Sequence, residues 1–301
     1  MDESERWTLG GAQGKITPTR IGDAWHVCHG SAATTHIIKP GVEGLTLQSL
    51  DEYLCLRLAR ICGLKAATVS YEEFDGVPAI VVERYDRMIQ TNGAVTRIHQ
   101  EDLCQALGYL PKDKYVPTPA DILSLLKSDA SDQSVYDFVS ALFFNYLIGA
   151  TDAHAKNYSL MHLVGQERCL APIYDVASIL PYQKVGKGTR GAAMPIGREK
   201  RFGRLAGSSI KRFATNNDLS IERCRELMVS LAERVCDAVQ SVVEDNRHIV
   251  GVERIGPVPI RTISANCKAM LSNMGAHGKM LDTSQFALIG SGDIKQNKHG
   301  V

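Results

Sequence analysis

Asp152 and Asn157 stand as D-x-x-x-x-N in the run IGATDAHAKNYSL, residues 148–160. This pair at this spacing suits phosphoryl transfer. The carboxylate can accept the proton of an attacking hydroxyl, and the amide oxygen can hold magnesium. Downstream, in LAPIYDVAS, Asp175 follows a short apolar stretch that reads as a strand. A carboxylate there can hold magnesium bridging the phosphates of ATP. Magnesium takes hard oxygen ligands and keeps several waters, so one Asn and one Asp suffice. A lone D-x-x-x-x-N is common by chance, and both aspartates could be turn residues. The added His154 and Lys156, with a second Asp after a β-like run, favour chemistry over turns.

Three further stretches fit the same chemistry. Gly10-Gly11-Ala12-Gln13-Gly14-Lys15 is a Gly-rich loop whose backbone N–H groups could approach phosphate oxygens. Alone it reads equally as a hairpin, and it is not a Walker loop, since no Ser or Thr follows the Lys. Lys39 ends the alternating run THIIK and could reach phosphates from a strand end. Glu52, early in the next helix, could pair with it or be a plain surface carboxylate. The segment Val81–Arg87 falls where the chain changes character, and its backbone could bond an adenine edge or be an edge strand.

The elements that would position these groups follow from periodicity. Residues 7–39 read as short strands. Leu50, Leu54, Leu58 and Ile61 predict an amphipathic helix over 46–63, stopped at Gly63. ATVSYEEF and PAIVVERYDR read as a hairpin turned at Asp75-Gly76. Beyond about residue 100 the pattern is helical, with helices at 121–128, 136–149, 219–245 and from Pro259 to Gly275. The helix 136–149 is apolar nearly all round and should be buried. Residues 151–178 read as irregular, and 184–208, rich in Gly, Lys and Arg, as a mobile loop. The expected fold is α+β and two-lobed. A small β-rich N-terminal lobe (1–87) faces a mainly helical C-terminal lobe (88–285), followed by a disordered tail (286–301).

Composition bounds the rest. The chain has 301 residues, 44% hydrophobic and 22% charged, with a formal net charge of +1. That charge argues for no global attraction to nucleic acid or anionic membrane. No apolar run reaches membrane-spanning length and no secretory signal opens the chain, so the cytoplasm is expected. The eight cysteines form no C-x-x-C and read as buried thiols.

Taken in order, LGGAQGK, TTHIIKP, DEYLCLRLARICGL, VVERYDR, HQEDLCQALG, IGATDAHAKN and LAPIYDVAS resemble the HipA family of bacterial toxin kinases. The resemblance runs from about residue 8 to 180 and continues in MPIGREKRFGRLAGSSIKRF. It implies a kinase-like fold using ATP and Mg2+. It also implies phosphorylation of a protein serine, in relatives on an aminoacyl-tRNA synthetase, which halts translation. By motif position Asp152 would be the base, and Asn157 and Asp175 would hold magnesium. Lys39 would contact phosphates, Gly10 to Lys15 would cover them, and Glu83, Arg84 and Tyr85 would hold adenine. His154, Lys156 and Tyr174 would line the nucleotide site. A helix-turn-helix antitoxin that binds operator DNA is the implied partner, so DNA is met only indirectly.

Two departures from the family pattern stand out. Longer members carry about a hundred residues before the Gly-rich loop, so that domain is expected to be absent or a separate small protein. Relatives autophosphorylate a serine just before the loop, where this chain has Thr8. A small-molecule kinase and a catalytically dead binding module are the alternatives. The basic residues Lys184, Lys187, Arg190, Arg198, Lys200, Arg201 and Arg204 favour an acidic protein target over a cationic small molecule. Intact Asp152, Asn157, Asp175 and Lys39 argue against a dead module.

Overall fold

The computed structural model describes residues 14–41, 45, 47–91, 93–182 and 191–275. Strands β1 (Pro18–Ile21) and β2 (Ala24–Val27) form a hairpin beside β3 (His36–Lys39). Strands β4 (Val69–Phe74) and β5 (Val77–Glu83) join β3 in an antiparallel sheet of order β3-β5-β4. The β4–β5 turn places Asp75 at φ +49° and Gly76 at φ +80°. Two successive positive φ angles match the right-handed twist of the strands, which is why Asp-Gly suits this hairpin.

β5 alternates between two apolar environments. Ile80 and Val82 face the main core, while Ala79 and Val81 cluster with Ile38, Trp25 and Phe74. Helix α1 (Gln48–Ile61) covers the core face with Leu50, Leu54 and Leu58. Ile61, expected on that stripe, is half exposed at the helix end. α1 also leans on the C-terminal lobe, where Tyr53 Oη donates to Asn246 Oδ1 at 2.8 Å. One continuous core therefore runs through both lobes.

The C-terminal lobe carries α2 (Leu103–Ala106), α3 (Pro119–Asp129), α4 (Asp132–Ile148), α5 (Gly207–Asn216), α6 (Ile221–Asp245), α7 (Val252–Ile255) and α8 (Pro257–Gly275). In α4, twelve of its seventeen residues are buried, as its all-round apolar sequence requires. β-structure runs past residue 87. β6 (Arg87–Ile89) and β7 (Val95–Arg97) make a hairpin, and β8 (His99–Asp102), β9 (Ser159–His162) and β10 (Arg168–Leu170) make a sheet of order β10-β9-β8. The stretch 151–178 is thus partly sheet, because Leu160, Met161 and Leu170 bury against the helices.

The expected mobile loop is corrected where it is described. Ile196, Phe202 and Leu205 in 191–206 are buried core residues, and α5 follows directly. Polar composition hid this segment, since its few apolar residues all point inward. Residues 184–190 and the tail 286–301 lie outside the described residues. The eight cysteines are free, five of them buried.

Gly149 turns the chain from α4 into the 151–157 segment at φ +75°, and an added Cβ would lie 2.5 Å from Leu180 Cγ. Gly149→Ala is expected to destabilise the fold by about 1–3 kcal/mol, read from urea unfolding midpoints. Unchanged stability would show that this turn is not constrained as described.

Candidate active site

Lys39 sits at the last residue of β3 and is buried. Its Nζ lies 2.5 Å from Glu52 Oε1 in α1 and 2.9 Å from Asp175 Oδ1. Burial alone would lower the lysine pKa, but the two carboxylates outweigh it and raise the value above the ordinary lysine range. Glu52 is fully buried, so the surface-carboxylate reading of it is set aside. Asp175 opens into the cleft with 46% of its side chain exposed. Desolvation pushes its carboxyl up, yet the Lys39 ammonium holds it below the usual value. Asp175 has φ +56°, a left-handed conformation uncommon for a residue with a side chain. Backbone outliers of this kind gather at functional sites.

Asp152 faces Asp175 across the same cleft and is two-thirds exposed. Asn157 ties the two segments together. Its Nδ2 donates to the backbone carbonyls of Asp152 at 2.9 Å and Asp175 at 3.3 Å. The amide nitrogen is spent on backbone, so the amide oxygen is the atom left to serve a cation. Tyr115 Oη donates to Asp152 Oδ1, and its ring stands edge-on to His154 at 5.0 Å. His154 is buried, with Nε2 at 3.8 Å from Asp152 Oδ2. Burial lowers its pKa despite Asp152, which keeps the imidazole neutral near pH 7.

The cleft has a volume of about 440 Å³, within the range of small-molecule sites. Lys15, Lys39, Asp152, His154, Lys156, Asn157, Tyr174 and Asp175 all line it. Lys156 Nζ is held by Asp102 Oδ2 at 2.6 Å, and Tyr174 Oη bonds Ser159 Oγ at 2.6 Å. Gly14 is described but stands outside that lining, and Thr8, Gly10, Gly11, Ala12 and Gln13 lie outside the described residues.

Glu83, Arg84 and Tyr85 do not join the lining. The N–H of Glu83 donates to Thr68 O and that of Arg84 to Thr35 O, both at 2.9 Å. The Arg84 guanidinium is spent on Asp86 and Thr34. Tyr85 packs behind Tyr174 at 5.6 Å. Two of the donors that an adenine edge could use are therefore satisfied within the N-terminal lobe. Of the basic residues near 200, Lys200 donates to Ala193 O and Arg201 pairs with Glu199.

Sequence reasoning missed Asp51 and Tyr115. Asp51 is fully buried and accepts the Ser178 N–H at 2.8 Å. Ser178 Oγ in turn donates to Ile148 O at 2.6 Å. Consecutive residues of α1 thus grip both Lys39 and the segment just after Asp175. A polar residue beside Glu52 within a buried helix face was the available signal for Asp51. No spacing rule links Tyr115 to a residue 37 positions away.

Burial pushes the Asp51 carboxyl up to about 8, only partly opposed by the Ser178 N–H. The folded state therefore keeps a proton that the unfolded chain releases near pH 4. Stability from this group is present below about pH 4 and is lost as pH rises towards 8, at up to about 1.4 kcal/mol per unit. Asp51→Asn should remove this slope, so its stability advantage over wild type in urea should widen from pH 5 to 8. A constant gap would mean that Asp51 is not held protonated.

Residues 7–243 match the family model of the HipA-like C-terminal domain. The chain is 34% identical over 249 residues to Y4mE of Sinorhizobium fredii, which bears a provisional kinase name; the match covers 81% of this chain and 58% of that relative. It is 30% identical over 200 residues to the serine/threonine-protein kinase toxin HipA of Shewanella oneidensis, covering 60% of this chain and 45% of HipA. The chain spans about half the length of these relatives. The structure of the S. oneidensis HipA, HipB and operator DNA complex matches with a TM-score of 0.78 at 24% identity, over 90% of this chain and 67% of that one. The Helicobacter pylori proinflammatory kinase CtkA matches at 0.63 and 10% identity, over 89% and 92%. At those identities the structures establish the fold, a two-lobed kinase-like one. Descent is established by the sequence family, whose model takes in most of the 301 residues: the chain belongs to the HipA-like C-terminal domain family.

Proposed function

We propose that the chain is an ATP- and Mg2+-dependent protein serine/threonine kinase, the toxin of a HipA-like toxin–antitoxin pair. Its target would be an aminoacyl-tRNA synthetase, and its effect translational arrest. The observation that carries the catalytic part is Lys39 held between Glu52 and Asp175, opposite Asp152 and Asn157. Such an ammonium can neutralise phosphate charge while a carboxylate beside it serves a metal.

The residues present fit magnesium. Asp175 offers a cleft-facing carboxylate and Asn157 an amide oxygen, both hard ligands, and this ion needs few from protein. When bound, the metal supplies charge neutralisation at the phosphates. The chain's own residues do the rest. Lys39 and Lys15 present cations to a phosphate-bearing ligand. Asp152 is exposed to take the proton of an incoming hydroxyl, and neutral His154 leaves the charge of that base uncompensated. Asn157 fixes the spacing between base and metal carboxylate.

A helix-turn-helix antitoxin, with DNA met through it, is supported by the S. oneidensis HipA complex with HipB and operator DNA. A separate small protein standing for the relatives' additional domain is part of the same reading, as are autophosphorylation at Thr8 and a cytoplasmic setting. Among the described residues no helix is long and apolar enough to cross a membrane. The choice of a protein target rests on the relatives. The basic loop carries less weight than its sequence implied, because Lys200 and Arg201 are engaged within the chain.

Asp152→Gln should lower phosphoryl transfer by about 10²–10⁴-fold while nucleotide still binds. Asp175→Ala should abolish Mg2+-dependent nucleotide binding in calorimetry. Phosphoproteomes of cells expressing wild type and Asp152→Gln should differ by phosphoserine on a tRNA synthetase. Wild-type labelling by Asp152→Gln would sink the assignment of the base.

A further inference from the structure

The base is not open to solvent on all sides. Asp152 Oδ2 faces His154 Nε2, and Oδ1 accepts the Tyr115 hydroxyl. The phenol donates to this carboxylate as an incoming acceptor hydroxyl must. Desolvation, with Asp152 adding to it, pushes the Tyr115 hydroxyl up to about 12, so it remains a donor throughout the working range of pH.

The loop that carries Tyr115 is pinned on both sides. The Ala155 N–H donates to Lys114 O at 3.2 Å, which docks the loop on the segment that carries the base. Thr118 closes the other end as the N-cap of α3, in a capping box with Asp121. The ring rests against buried His154, yet the residue is 55% exposed. An acceptor can therefore reach Tyr115 and push it aside, whereas His154 is fixed in the core.

We propose that Tyr115 occupies the acceptor-hydroxyl position on Asp152 and must be displaced by the substrate. It is a specificity-determining positioning residue that keeps water off Oδ1 of the base until an acceptor binds. This inference rests on the kinase reading above. Without the phenol, water can take its place. The water proton then passes to Asp152, the new O–P bond forms, the bond to ADP breaks, and ATP is hydrolysed.

The test compares wild type, Tyr115→Phe and Asp152→Gln as full chains with Mg-ATP. ADP release is measured alone and with increasing dephosphorylated casein as a generic acceptor. Tyr115→Phe removes one oxygen from a half-exposed ring, and unchanged nucleotide affinity will report an intact cleft. The expected result is an acceptor-free ADP release roughly tenfold higher, the size of one hydrogen bond to a charged group. KM for the acceptor should fall with kcat little changed. Unchanged or lower ADP release from Tyr115→Phe, or a fall in kcat at constant KM, would overturn the proposal. If wild type and Asp152→Gln release ADP equally, the kinase reading itself fails, and this inference with it.

Discussion

A buried ammonium cannot stand alone. Stripped of water and partners, Lys39 would lose its proton, because burial penalises the charged form. Glu52 and Asp175 prevent this, and in doing so they join β3, α1 and the segment after β10 at one atom. Each carboxylate has a different duty. Glu52 is sealed in the core and can only hold the lysine, while Asp175 remains half open to the cleft. Loss of Lys39 would leave Glu52 as an uncompensated buried charge, a cost of about 3–5 kcal/mol for such pairs. The position of α1 is therefore not free to vary independently of the cleft.

Asp51 tightens the same coupling by a different means. Its neighbour Glu52 acts through charge, whereas Asp51 acts as a buried hydrogen-bond acceptor for Ser178. The chain from Val176 to Ser178 is thereby strapped to α1, and through Ser178 Oγ to the end of α4. Asp175 lies between these anchors in a left-handed conformation. A strained backbone persists only where its surroundings over-determine it. Here the anchors are Lys39 on one side and the Asp51–Ser178–Ile148 relay on the other.

Local patterns made the elements legible, and distance in sequence hid the contacts. The Asp75-Gly76 turn, the stripe of α1 and the all-apolar α4 follow from neighbours a few residues apart. Asp152 and Asn157 stand five residues apart in one short segment, and the antiparallel pairing of β9 with β10 returns the chain so that Asp175 reaches them. The Lys39–Asp175 pair spans 136 positions and was visible only through the chemistry of its parts. Tyr115 gave no sign, since a tyrosine in a Lys- and Pro-rich loop carries no spacing. α5 was missed because Gly, Lys and Arg around it mask the buried Ile210 and Phe213. Glu83, Arg84 and Tyr85 stand outside the cleft lining. β5 and the residues after it had already committed their N–H groups at Glu83 and Arg84 to the lobe itself.

Burial divides the charges of the cleft into two kinds. Glu52 and Lys39 are in the core, where a low effective dielectric makes their pairing strong and their positions rigid. Asp152 and Asp175 keep much of their surface open, where a proton or a cation can be exchanged. A base must be reachable to act, so it cannot be secured by burial. Asp152 is instead steadied by backbone, through Asn157, and by one removable hydroxyl, through Tyr115. The rigid charges can thus set the geometry of the site without taking part in proton transfer, and the exposed ones can react without carrying the fold.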